Sequence, residues 1–362
     1  MIARPAQVVV AALAAAALVS VAVTGVAMGG DVALPAVHAL PGLALAVDVA
    51  PPPPDLSTLV TGWSFDIEVW LPLILAAAFY WAAVRKVDRE HPANPVPRRR
   101  VAYWFSGLAV LVIALESPLA LYDTTLFSLH MVQHLLLAMV AAPLLVLGAP
   151  ITLLLRVATP LARKKWLIPA LHSRPVRIVS HPAISWLIFT GYMFGSHFSP
   201  LFEASLEDPL IHVVEHALYV ITGMLFWWPV VGADPSPWRL PHGGRLLYVG
   251  LGMPWSSFLG LAIFSANTVL YPHYAAVVRT WGMPPLLDQQ WAGGIMWAGG
   301  DGLFLLALVL ALATWLKAEE AAGKRIDAQL DRESRASRRA GAGASGAGGR
   351  LAPEAGQPSA LE

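Results

Sequence analysis

The chain has no cysteine, and charged residues fill only 13% of its 362 positions. The missing thiols exclude disulfide staples, thiolate metal sites and thiol redox chemistry. Soluble domains carry about 25% charge and about 45–50% apolar residues, whereas 57% of this chain is apolar. That scarcity of charge excludes an ordinary soluble enzyme and a disordered chain, and it points to the lipid bilayer as a partner. A formal net charge of +1 offers no basic surface for phosphates, so nucleic acid is not a partner. Any metal must rest on His, Met or carboxylate ligands.

Long apolar runs dominate what is present. A spanning helix needs about 20 mostly apolar residues, and eight segments meet that length: 6–28, 67–85, 101–121, 124–147, 182–201, 209–231, 246–268 and 292–316. The expected fold is an all-α polytopic membrane protein, a bundle of seven to eight transmembrane helices. With the N-terminus cytoplasmic, every Lys and Arg except Arg279 falls on the inner side, among them Arg98, Arg99, Arg100, Arg163, Lys164 and Lys165. The outer connections carry Asp31, Asp48, Asp55, Asp123, Glu203, Glu207 and Asp208. Such a bias is what the positive-inside rule demands, and it puts the protein in the cell membrane with a cytoplasmic C-terminus.

Four stretches follow. Residues 1–30 read as a spanning helix or a secretory signal, and the long apolar run favours a retained helix. Residues 31–62 form an acidic, Pro-rich outer segment with four prolines at 51–54, stiff and extended. Residues 63–316 are the membrane domain. Residues 317–362 begin as an alternating-charge extension of the last helix and turn Gly/Ala-rich and flexible after Ala340. The abundant tryptophans, including Trp63, Trp70, Trp104, Trp227, Trp228 and Trp281, are expected as interfacial anchors.

Ionisable groups inside spans are costly, and each is a functional candidate by default. Segment 124–147 contains HMVQH, with His130 and His134 four positions apart; segment 209–231 contains HVVEH, with His212, Glu215 and His216. Residues i and i+4 share a helix face, close enough for two imidazoles to bind one metal. At about 1.5 Å per residue these four histidines lie in one layer of the outer leaflet, and His197 reaches it from a helix running the other way. Glu116 joins the same layer. Asp301 and Met296 in the last span, with Met193 and Met253, are candidates for a supporting or softer ligand role. No enzyme fits well. HVVEH matches the inverted zinc-protease pattern, but no Glu follows Glu215 before Glu319, which leaves only Asp288 and Asp301 for a third ligand.

Four blocks carry a resemblance. These are SLHMVQHLLLAMVAAPLLVLGAP at 128–150, FWWPV at 226–230, YPHYA at 271–275 and LLDQQWAGGIMW at 286–297. In that order and membrane placement, the region 63–316 resembles the caa3-type cytochrome c oxidase assembly factor family, the multi-spanning CtaG proteins. The single-span copper chaperone sharing that name contains Cys and is a different protein. The resemblance implies a non-enzymatic factor for haem–copper oxidase assembly, with oxidase subunits and an extracytoplasmic copper chaperone as expected partners. It implies copper as the metal and places His130, His134, His212 and His216 in the ligand set with His197 as a fifth member; on that reading the purified protein is expected to bind about one copper. Glu116, Glu215 and Asp301 would support these ligands, and His273 would meet the ion on its way in. Two alternatives remain open: haem b held by the same histidines as in membrane cytochromes, and a metal-free scaffold whose histidines only pack.

Overall fold

The computed structural model describes residues 50–348. The expected first span at 6–28, the outer segment up to residue 49 and the last residues of the tail lie outside the described residues. Among the described residues the chain is all-α, and six helices are long and apolar enough to cross a membrane: Ile67–Glu90, Arg98–Tyr122, Phe127–Val157, Pro209–Val231, His242–Phe264 and Pro285–Arg335. It is therefore an all-α polytopic membrane protein. The main helices are α1 (Ile67–Glu90), α2 (Arg98–Glu116), α3 (Phe127–Leu135), α4 (Pro182–His197), α5 (Pro200–Glu207), α6 (Pro209–Val231), α7 (Gly252–Phe264), α8 (Pro285–Gly294) and α9 (Gly300–Gly348).

The segment at 182–201 is shorter than expected. α4 has 16 residues and stops at His197, because Ser199 caps α5 through the Leu201 N–H and Pro200 occupies the first turn of α5. Proline tolerates a first helical turn and interrupts a helix that reaches it from behind. Short helices fill the connection between 150 and 179.

α3 is the central element. Every residue from 127 to 142 is buried, the polar Ser128, His130, Gln133 and His134 included. After Leu135 it widens into a π-helical segment, Leu136–Ala141, and then resumes at Ala142. Pro143 follows, and its missing N–H leaves the ladder one bond short. The Ala138 carbonyl in this segment accepts a hydrogen bond from Trp227 Nε1 at 2.9 Å. Trp227 is thus a core brace, buried at 3% exposure, and not the interfacial anchor expected from sequence.

Small residues set the spacing of the helices, as they do generally in membranes. A Cβ on Gly223 of α6 would come within 3.0 Å of the Ala138 carbonyl and of Ala142 Cβ, so α6 lies directly on the α3 backbone. The pair Gly260 and Gly293 does the same for α7 and α8: a Cβ on Gly293 would meet Phe264 N at 2.5 Å.

The described part of the Pro-rich segment is docked. Pro51 and Pro52 offer their carbonyls to Trp281 Nε1 and the Tyr122 hydroxyl, each at 2.8 Å. Residues from Val309 belong to a second compact unit. Its helix carries the i,i+4 partners Glu320 and Lys324, and Gln329 and Glu333. It continues to Gly348, past Ala340 where flexibility was expected, and alanine's helix propensity offsets the glycines there.

Candidate metal centre

The two histidine pairs meet. α3 presents His130 and His134 one turn apart, their Nε2 atoms 2.9 Å from each other. α6 presents Glu215 between them, its carboxylate 3.8 Å from each of those nitrogens. His212 stacks on His130 with ring centroids 5.3 Å apart and 20° between planes. The His216 ring lies 4.3 Å from His212 and 5.6 Å from His130. The Gly223 contact permits this: about two turns farther along α6, an added Cβ would press on the Ala138 carbonyl and Ala142 and hold the two helices apart.

The donor atoms are short of partners for buried groups. His130 Nδ1, His134 Nδ1, His212 Nε2, His216 Nε2 and both Glu215 oxygens make no hydrogen bond within the described residues. Each buried polar atom left this way costs about 1–3 kcal/mol. Six in one cluster, imidazole nitrogens beside carboxylate oxygens, form a donor set that a cation would satisfy. Two groups could hold a metal ion: His130, His212 and His216, and His130, His134 and Glu215. Glu215 is therefore a candidate donor itself.

Surrounding residues fix these rings. Asp288 at the start of α8 accepts the Phe127 N–H and the Ser128 hydroxyl, which anchors the first turn of α3. Gln133 Nε2 donates to the Ala114 carbonyl at 2.9 Å and ties α3 to α2. Tyr219 stacks on His134 at 3.8 Å. Phe202, fully buried, touches the rings of both His130 and His197. The Asp123 carboxylate lies 3.7 Å from His212 Nε2, and at 16% exposure the His212 side chain is the least buried of the rings in an ion-pair contact.

The other sequence candidates have different partners. His197 is close, its ring 5.6 Å from His134, but Nδ1 contacts the Met193 carbonyl at 2.8 Å and Nε2 faces Met131 Sδ at 3.4 Å. It belongs to neither donor group, and it lines a cleft of about 390 Å³ with Glu203, Leu270 and Tyr271. His273 Nε2 contacts the Thr124 carbonyl and the His273 backbone N–H donates to the Glu203 carboxylate, which makes His273 a loop brace. Glu116 turns away to accept from Ser64 and the Asp66 N–H. Asp301 accepts from Ser257. Asp288 and Asp301, the two carboxylates that the sequence left open as a third ligand for HVVEH, are thus engaged elsewhere. Met131, Asp123 and Tyr219 were missed by sequence: their roles depend on which neighbours face them, and no spacing pattern marks them.

The fold and this cluster define a class: a polytopic membrane protein with a buried His/Glu centre suited to a metal ion. The chain belongs to the cytochrome c oxidase caa3 assembly factor family (Caa3_CtaG), whose model matches residues 78–318. It is also 31% identical over 288 residues to an uncharacterized protein of Mycobacterium tuberculosis and to one of Mycobacterium bovis, and 28% identical to one of Mycobacterium leprae. Each match covers 78% of this chain and 43% of the relative, so the chain spans less than half the length of these proteins. No solved structure matches the chain.

Proposed function

We propose that the protein binds copper through His130, His134, His212, His216 and Glu215 near the outer membrane face and aids its delivery to the oxidase. The observation that carries this reading is the set of six buried donor atoms without hydrogen bonds. Imidazole suits both copper oxidation states, and carboxylate is tolerated beside it. His197 and Met131 stand next to the cluster as a softer His/Met pair, a combination that suits Cu(I). Lys and Arg placement supports an outward-facing cluster in the cell membrane. There the ion would pass between an extracytoplasmic chaperone and an oxidase subunit.

The ring spacing favours a bare ion over haem. Centroids of neighbouring cluster rings are 4.3–5.8 Å apart, which leaves no slot for a macrocycle between them. A purely structural scaffold is disfavoured because packing histidines normally have hydrogen-bond partners.

The test is metal analysis of the detergent-purified chain with oxidase assembly followed in cells. Copper is expected in the unaltered protein, and the double substitution His130→Ala with His216→Ala is expected to remove it and impair the oxidase. Unchanged copper and assembly in that variant would sink the proposal, and a Soret band without copper would replace it with haem.

A further inference from the structure

The donors around His130 fall into two sets that meet only at that residue. Within His130, His212 and His216, and within His130, His134 and Glu215, the ligand atoms lie within 4.8 Å of one another. No such set among the described residues joins His134 or Glu215 to His212 or His216. Imidazole nitrogens sit about 2.0–2.1 Å from a bound ion, so donors sharing one ion are at most roughly 4.2 Å apart. One ion seated in either set leaves the remaining pair of the other set unserved.

His130 is built to belong to both. Its Nε2 faces His134 at 2.9 Å and the Glu215 carboxylate at 3.8 Å. Its Nδ1, on a different edge of the ring, is buried and has no hydrogen bond, and the His212 and His216 rings lie 5.3 and 5.6 Å from its own. We infer that the cluster is a two-ion centre, with His130 shared between a His134/Glu215 site and a His212/His216 site. This deepens the copper reading above and rests on it, and it replaces the single ion expected from sequence.

Charge supports the pair. Ligation at both nitrogens requires the His130 ring to give up its N–H proton to water, since metal binding displaces protons from its ligands. The imidazolate and the Glu215 carboxylate then carry two negative charges against two Cu(I) ions. A buried centre that is neutral as a whole avoids the desolvation cost of net charge in an apolar interior.

Copper titration of the detergent-purified full chain tests this without any variant. Uptake is expected to saturate at two equivalents of Cu(I). Two double variants then divide it: His134→Ala with Glu215→Gln, and His212→Ala with His216→Ala, each expected to retain one equivalent, and the four changes together none. Saturation of the unaltered chain at one equivalent would overturn the inference and leave the copper reading standing. Copper that survives all four changes is bound elsewhere and overturns it as well. No copper in the unaltered chain overturns the copper reading, and this inference with it.

Discussion

Asp288 holds Ser128. Its carboxylate accepts the Ser128 hydroxyl at 2.5 Å and the Phe127 N–H at 2.7 Å, across 160 positions of sequence. Arg279 reinforces the same turn by donating to the Thr125 carbonyl at 2.7 Å. The first N–H groups of a helix have no partner within it, and here the helix is the one that bears His130 and His134. A residue on α8 thereby sets the start of α3 and the height of both rings.

Removing that carboxylate should show in two readouts. Asp288→Ala leaves buried donors unserved at a cost of about 1–3 kcal/mol, seen as a lower unfolding temperature in detergent. Copper affinity should fall with it as the first turn loosens. Asp288→Asn keeps one acceptor oxygen and should recover most of both. Equal copper binding in Asp288→Ala and the unaltered chain would show that α3 needs no such anchor.

Asp123 plays a supporting part at His212, its carboxylate 3.7 Å from Nε2. A carboxylate this close to a donor nitrogen favours a bound cation electrostatically, and carboxylates just outside a ligand set commonly tune affinity by about 10–100-fold. Asp123→Asn is expected to weaken copper by an amount in that range and leave the number of ions bound unchanged. A competition titration against a chelator of known affinity measures it, and loss of an ion at saturation would instead make Asp123 a ligand.

What could be read from sequence was local. His130 with His134, and His212 with His216, follow from the helical repeat, and their shared depth follows from counting residues along spans of fixed rise. The charge of the loops likewise needs no tertiary knowledge. The choice of partner for each carboxylate does. Glu116 shares the expected layer, yet its rotamer and the chain at Ser64 take it away from the histidines. Glu215 was placed only as support, because nothing in HVVEH tells that it falls between His130 and His134 across the helix interface. The break after His197 was marked by Ser199 and Pro200, a cap and a first-turn proline whose meaning the surrounding apolar run concealed.

The contact of α7 with α8 tolerates no added carbon. A Cβ on Gly293 would sit 2.5 Å from Phe264 N and 2.6 Å from the Gly260 carbonyl, both backbone atoms that cannot swing aside. Gly293→Ala must push the helices apart, with an expected loss of about 1–3 kcal/mol as in other overpacked interiors. Gly302, with nothing near its Cβ position, serves as the control, since Gly302→Ala should be neutral or stabilising. Thermal unfolding of the two variants side by side reads the difference, and equal midpoints would contradict the close approach.

His197 distinguishes a ligand from a neighbour. Its ring is within 5.6 Å of His134 and its Nε2 points at Met131 Sδ, so proximity alone would admit it to the metal centre. Its Nδ1 is engaged by the Met193 carbonyl and approached by the hydroxyls of Ser196 and Tyr219, and it belongs to neither donor group. His197→Gln is therefore expected to leave the copper content of the fully loaded chain intact. The rate of loading should change instead, because His197 lines the cleft with Glu203 and Tyr271 and stands between that cleft and His134. Stopped-flow uptake of Cu(I) measures the rate, and metal analysis after equilibration measures the content. A loss of bound copper at equilibrium would return His197 to the ligand set.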